Sequence, residues 1–256
     1  MKGFVNGGNT CYFNVSLKSI LVACPELKNY DYNGPCEFTE LFFRLVEAMN
    51  NPDVNIIDPR PLLELLRKRF PNFTSREEHD AQECILSIID ILEKELPYFK
   101  RKFYGVKQNE VIFPSGKNIS KEEFSMHILE AETRGKLLDM LKKSRRWNTI
   151  EGYIDDEGNK YNLATRRSII KKFPEIFMIS FDAKTNGLEI IDEDENFELV
   201  GAVIHVGVQY SGHYVFLSKE NCQWYMNDDN LTKKLDKFPT RGDYYVLMYK
   251  TKIQSS

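Results

Sequence analysis

Cysteine is scarce in this chain, and the five that occur are not paired. They stand at positions 11, 24, 36, 84 and 222 of 256 residues. The number is odd, the spacings are wide, and no two form a Cys-x-x-Cys pair. That speaks against a disulfide framework and against a structural zinc site built on such pairs. Long apolar runs are also missing, and no stretch approaches the length of a membrane-spanning helix. Residues 1–6 carry no apolar run of signal-peptide type. Charge of one sign is not in excess: Lys plus Arg is 35, Asp plus Glu is 38, and the net charge is −3. Nothing here asks for nucleic acid or an anionic membrane as a partner. The expected setting is an intracellular, reducing compartment, cytoplasmic or nuclear, and the expected state is a monomer.

What the chain does have is ordinary core material, with 42% of its residues hydrophobic. There is no internal repeat and no low-complexity linker, which fits one domain over residues 1–256. Cys24, Cys36, Cys84 and Cys222 read as small buried apolar residues.

Residues 11 to about 100 read as mostly helical. A first helix covers 11–22, with Phe13, Leu17, Ile20 and Leu21 at helical spacing and Asn9 or Thr10 as its cap. A second covers 37–49. A third starts near Pro61, with Asp58 as cap, and runs to Phe70. The plainest carries Ile85, Ile88, Ile89, Leu92 and Leu96 on one stripe and stops at Pro97. From about 103 onward short strands take over, at 124–129, 149–154, 175–181, 199–209, 214–218, 223–227 and 244–250. Helices at 134–146 and 164–172 are expected to interrupt them. Asp155 to Asn159 reads as a turn. A helical half followed by a stranded half implies α+β architecture.

Two segments far apart carry reactive chemistry. Asn6-Gly7-Gly8-Asn9-Thr10-Cys11 places a thiol where a helix begins. Unpaired N–H groups and the helix dipole favour a thiolate there. The Asn6 amide could donate to an oxyanion. Ser211-Gly212-His213-Tyr214 places an imidazole at the entrance to an apolar strand, and Trp224-Tyr225-Met226-Asn227-Asp228 brings an amide and a carboxylate on the next. A thiol, an imidazole and a group that orients it make a covalent-catalysis set. Each segment alone is ordinary: a Cys at a helix start is more often an inert core residue. His205 and His127 read as structural histidines within apolar strands, and no histidine spacing suggests a metal site.

Together these segments resemble the cysteine and histidine boxes of the ubiquitin-specific proteases. Between them, His79-Asp80-Ala81-Gln82-Glu83 resembles that family's Asp-x-Gln-Glu segment at the start of a long helix. Pro174-Glu175-Ile176-Phe177-Met178-Ile179 resembles the strand before the histidine box. Four motifs in order cover nearly the whole chain. The resemblance implies a papain-like cysteine peptidase fold with a helical thumb (about 1–100), then an antiparallel β palm and short β fingers (about 101–256). It implies hydrolysis after the C-terminal glycine of ubiquitin, with ubiquitin and ubiquitinated proteins as partners and no cofactor. By the motif match Cys11 is the nucleophile, His213 the base, Asn6 the oxyanion donor and Asn227 the orienter, with Asp228 the second choice. Asp80, Gln82, His205 and Tyr214 fall at substrate-binding positions, Asp80 at the one that meets ubiquitin's basic tail.

The chain departs from the family pattern in several places. It lacks the two Cys-x-x-Cys pairs of the fingers, where residues 152–161 read as the corresponding hairpin, so the fingers are expected to be zinc-free. Phe181-Asp182-Ala183 stands where Lys-Arg-Phe is common, and Glu78-His79 replaces a Gln pair. Such a reduced core fits a large DNA virus or a reduced genome, and in the viral case a host-cell location.

Overall fold

The computed structural model describes residues 2–73, 77–130, 136–182, 185, 187–190, 193–208 and 211–252. The expected helix start at 134 and strand end at Gln209 lie outside them.

The first hundred residues build a helical layer. A short strand β1 (Gly3–Phe4) precedes α1 (Cys11–Ala23), and a 3₁₀ turn (Pro25–Asn29) leads to α2 (Glu37–Asn50). Strand β2 (Ile56–Ile57) pairs with β1. Then come α3 (Arg60–Arg69), α4 (Ala81–Glu95) and α5 (Pro97–Phe103). Every residue of α1 from Cys11 to Ile20 is buried. This helix is enclosed on all sides and not laid on a surface, which is why its apolar residues do not keep to one stripe.

The rest is mostly strand: β3 (Gly105–Phe113), β4 (Gly116–Phe124), β5 (Met126–Leu129), β6 (Asn148–Ile154), β7 (Lys160–Lys172), β8 (Ile176–Phe181) and β9 (Leu188–Glu189). It continues with β10 (Phe197–Val208), β11 (Ser211–Glu220), β12 (Gln223–Asp228), β13 (Leu231–Leu235), β14 (Arg241–Gly242) and β15 (Tyr244–Thr251). A single helix, α6 (Leu137–Lys143), interrupts them. The main sheet has seven strands in the order β13-β12-β11-β10-β15-β8-β5, antiparallel except for the β5–β8 pair. Its two faces are apolar in different company. Met178, Val203, Phe216 and Met248 face the helical layer, joining Phe13, Leu17 and Ile88 in one core. Phe177, Ile179, Leu247 and Tyr249 face the opposite way and are covered by Leu137 and Met140 of α6. Strand alternation sorts these neighbours in sequence onto opposite faces.

A second sheet of four strands, β4-β3-β7-β6, projects from the first. This is the fingers element, and residues 152–161 do form the hairpin at its tip. Asp155 accepts hydrogen bonds from the amides of Glu157 and Asn159 and from the Tyr161 hydroxyl. Phe113 packs on Tyr161 and Tyr153 at 4.8 and 5.2 Å between ring centres. Rings and a turn-closing carboxylate hold the tip together.

Three expectations are corrected here. Residues 164–172 form strand, not helix. The segment has helix-forming residues, but β3 and β6 pair with it from both sides, and tertiary pairing overrides propensity. The β3–β4 hairpin was not foreseen, because Lys, Gln, Asn and Glu fill half of its strand positions and thin out the apolar alternation. Cys24 and Cys84 are buried as expected, but Cys36 is half-buried and Cys222 is exposed in the β11–β12 turn.

Candidate active site

Cys11 opens α1, and Thr10 is the residue before it. Thr10 does not cap the helix with its side chain. Its hydroxyl donates to the Asn6 side-chain carbonyl, Oδ1, and accepts from the Gly7 amide. The same Oδ1 also takes the amides of Gly8 and Thr10. This tight loop needs left-handed backbone at Gly8 (φ 94°) and Asn9 (φ 52°). It fixes the Asn6 side chain so that its NH₂ group points at Asp229, 2.7 Å away. One of its two N–H bonds is used there, leaving the second to serve as a donor.

The opposing wall is the β10–β12 region of the large sheet. His213 pairs across to Val206, and its Nε2 lies 2.6 Å from Asp228 Oδ1. With Nε2 on the carboxylate, Nδ1 is the nitrogen available to a thiol. The structure therefore brings Asp228, and not Asn227, to the imidazole, which corrects the first choice of orienter. Strand parity gives the reason. Asn227 pairs with Phe216, so it shares that residue's face, while Asp228 emerges on the face that carries His213. Asn227 is 0% exposed and donates to Phe216 O and Ser218 Oγ. It is a structural amide inside the sheet.

The next residue was missed in the sequence. Asp229 turns the β12–β13 hairpin with left-handed backbone (φ 46°). Its carboxylate receives Asn6 and Asn14 at 2.7 Å each. Its carbonyl receives the Phe4 amide at 2.9 Å and Lys18 Nζ at 2.8 Å. Asn14 and Lys18 lie three and seven residues after Cys11, on the same face of α1. An amide and an ammonium four residues apart in a buried helix were the available signal.

The thiol and imidazole arms are drawn together by further contacts. The backbone N–H of Tyr214, next to His213, lies close enough to the Cys11 thiol to favour its ionisation. Gly212 N donates to Glu78 Oε2 at 2.9 Å, tying the histidine strand to the segment before α4. Gly212 admits no side chain, since a Cβ there would fall 2.3 Å from His205 Nε2.

Three of the residues expected to bind substrate, Asp80, His205 and Tyr214, come together. Asp80 caps α4, with Oδ1 3.0 Å from Glu83 N, and it also accepts the Tyr245 hydroxyl. His205 and Tyr214 sit opposite one another on β10 and β11 with ring centres 4.5 Å apart. Tyr245 lies against Tyr214 at 5.7 Å. Gln82, in the first turn of α4, is half-buried. The structure thus groups Asp80, Tyr214 and His205 around Tyr245, a residue the sequence did not single out.

Burial pushes the Cys11 thiol above its ordinary range, and Asp229 and Glu78 add to the rise. Amide hydrogen bonds from Tyr214 and Tyr12 oppose it without overcoming it. Burial also lowers Lys18, to about 8, against the pull of Asp229, Asp228 and Glu220. Among the described residues, His213, Asp228 and Asp229 come close enough together to share an ion. Their oxygens already engage His213, Asn6 and Asn14, and no ion is assigned there.

The ubiquitin carboxyl-terminal hydrolase family model matches residues 2–189 and 159–249. Ubiquitin carboxyl-terminal hydrolase 5 of Arabidopsis thaliana is 30% identical over 117 residues, covering 41% of this chain. Ubiquitin carboxyl-terminal hydrolase 24 of Mus musculus is 21% identical over 313 residues, covering 91% of this chain. The chain spans only 13% and 12% of those two proteins. Among solved structures, a chain of the SAGA DUB module Ubp8/Sgf11/Sus1/Sgf73 bound to monoubiquitin shares the fold. The TM-score is 0.80 at 17% identity, over 100% of this chain and 70% of that one.

Proposed function

The chain belongs to the ubiquitin carboxyl-terminal hydrolase family, and from that membership we propose that it is a cysteine deubiquitinase acting after the C-terminal glycine of ubiquitin. The observation that carries the reading is the His213–Asp228 pair, 2.6 Å apart across β11 and β12, with the Tyr214 amide that follows His213 acting on the Cys11 thiol.

The chemistry follows from these positions. Burial keeps Cys11 protonated in the free protein, so the imidazole must take the thiol proton as attack begins. Nδ1 receives it while Asp228 holds Nε2–H and stabilises the imidazolium. Sulfur bonds to the glycine carbonyl carbon, and the oxyanion meets the second Asn6 N–H and the open amides at the start of α1. Collapse expels the amine, which leaves with the proton from His213. A water then gives its proton to His213, attacks the thioester and restores the thiol.

Asp80, with His205, Tyr214, Tyr245 and Gln82, forms the wall along which a basic C-terminal tail would lie. The carboxylate has lone pairs left beyond those used by Glu83 and Tyr245. Fingers without the usual cysteine pairs favour one second reading, the same reaction on a ubiquitin-like modifier. We place the protein in the cytoplasm or nucleus, acting as a monomer. Among the described residues, no helix is long and apolar enough to cross a membrane.

A ubiquitin probe with a C-terminal electrophile tests the proposal. It should label the wild-type protein and leave Cys11→Ala unlabelled. Binding of ubiquitin without labelling would make the protein a binding module, and labelling only by another modifier's probe would select the second reading.

A further inference from the structure

We propose that Lys18 is a positioning residue of the catalytic centre, fixing Asp229 and so the two arms, Asn6 and Asp228–His213, that must meet Cys11. The proposal rests on the cysteine-protease reading for its consequence and on geometry for its substance.

Lysine is an unusual occupant of this place. Lys18 is 1% exposed and is the one charged residue of α1, a helix buried from Cys11 to Ile20. Buried ammonium groups are expensive unless they are paired or hydrogen-bonded. Lys18 Nζ donates to the Asp229 carbonyl at 2.8 Å and sits 5.2 Å from the centre of the Phe4 ring. The charged groups acting on it are Asp229 and Asp228 at the β12–β13 turn and Glu220 at the end of β11. From α1 and β1 the groups around it are the Asn14 amide and the Phe4 ring and N–H. Those neighbours supply negative charge and no other cation, so Lys18 is the local counter-charge for two adjacent carboxylates.

What the ammonium holds is a residue in an uncommon conformation. Non-glycine residues seldom adopt positive φ, although aspartate does so more readily than most. Asp229 is kept there by donors from three places in the chain: Phe4, Asn6, and the Asn14–Lys18 face of α1. Its carboxylate aims the Asn6 amide, and its backbone adjoins the aspartate that aims His213. Removing the fourth donor and the counter-charge loosens both arms together. Burial lowers Lys18 to about 8 against the pull of the three carboxylates.

Two variants separate charge from hydrogen bond. Lys18→Gln keeps a donor and loses the charge, and Lys18→Met loses both. The first readout needs no substrate: the downfield proton resonance of the His213 Nε2–H bonded to Asp228. It should be sharp in the wild type, weaker in Lys18→Gln, and broadened or shifted upfield in Lys18→Met. The second readout is hydrolysis of a ubiquitin–coumarin amide. Here kcat should fall roughly tenfold or more in Lys18→Met with KM nearly unchanged, and Lys18→Gln should recover part of it. A far-ultraviolet circular dichroism spectrum of Lys18→Met that matches the wild type shows that the lost rate is not misfolding. The same resonance in all three proteins would overturn the proposal, as would equal kcat. A wild-type protein that leaves ubiquitin uncut would sink the deubiquitinase reading, and the resonance would still decide the role of Lys18.

Discussion

Asn227 and Asp228 are neighbours with similar side chains and opposite duties. One is sealed in the sheet and the other meets the imidazole. Asp228→Asn should lower kcat by about 10²- to 10⁴-fold, because an amide no longer selects the productive tautomer. Its melting temperature should stay close to that of the wild type. Asn227→Ala should do the reverse, removing about 1–3 kcal/mol of stability by leaving buried partners unpaired. Hydrolysis of a ubiquitin–coumarin amide and thermal melts of both variants check this, and an Asn227 variant that melts normally yet hydrolyses nothing would overturn the assignment. Cys11 makes its own prediction. With its thiol held above the ordinary range by burial, alkylation by iodoacetamide should be slow at pH 7 and still rising above pH 9. Mass spectrometry of the Cys11 peptide would show it, and a plateau by neutral pH would contradict it. The thiol, the imidazole and the oxyanion amide were all legible as residue types. Asp228 was read only as the second choice, behind Asn227, because the resemblance counts positions along the chain while the imidazole responds to which face a strand residue occupies.

Elements reached from local pattern were read well where they close on themselves and poorly where partners decide them. The stripe of Ile85, Ile88, Ile89 and Leu92 marked α4, and all four are buried. The strand β7 was misread because only its pairing with β3 and β6 makes it extended. The N-terminus of α4 joins fold to site, since Asp80 both caps the helix and receives Tyr245. Asp80→Ala should cost about 1 kcal/mol from the lost cap. If Asp80 also receives a basic tail, KM for ubiquitin–coumarin amide should rise while labelling by a small thiol reagent stays unchanged. A change in stability with no change in KM would confine Asp80 to capping. At β11, Gly212→Ala would press on His205 and on the Val206 carbonyl. It should displace His213 and lower kcat well before it unfolds the protein.

At the scale of the molecule, acid should loosen the fold from the face opposite the thumb. His127 is buried against Phe177, and burial lowers it to about 4, with Lys107 and Arg145 adding to the fall. Its unfolded value is higher, near 6.5, so the unfolded chain binds more protons between those limits. Stability is therefore full above about pH 6.5 and declines as pH falls towards 4, by up to about 3 kcal/mol. His127→Phe should flatten the melting temperature over that range, and an unchanged slope would reject the account. The order of the large sheet carries a different consequence. Its last strand, β15, lies between β10 and β8 and not at an edge. The strands bearing His213 and Asp228 reach the rest of the palm through β10, whose other neighbour is β15. During synthesis Cys11 emerges long before β15 does. Until residues 244–251 are made, the strands bearing His213 and Asp228 lack the neighbour that ties β10 to the rest of the sheet, so the two halves of the site can be assembled only late in translation.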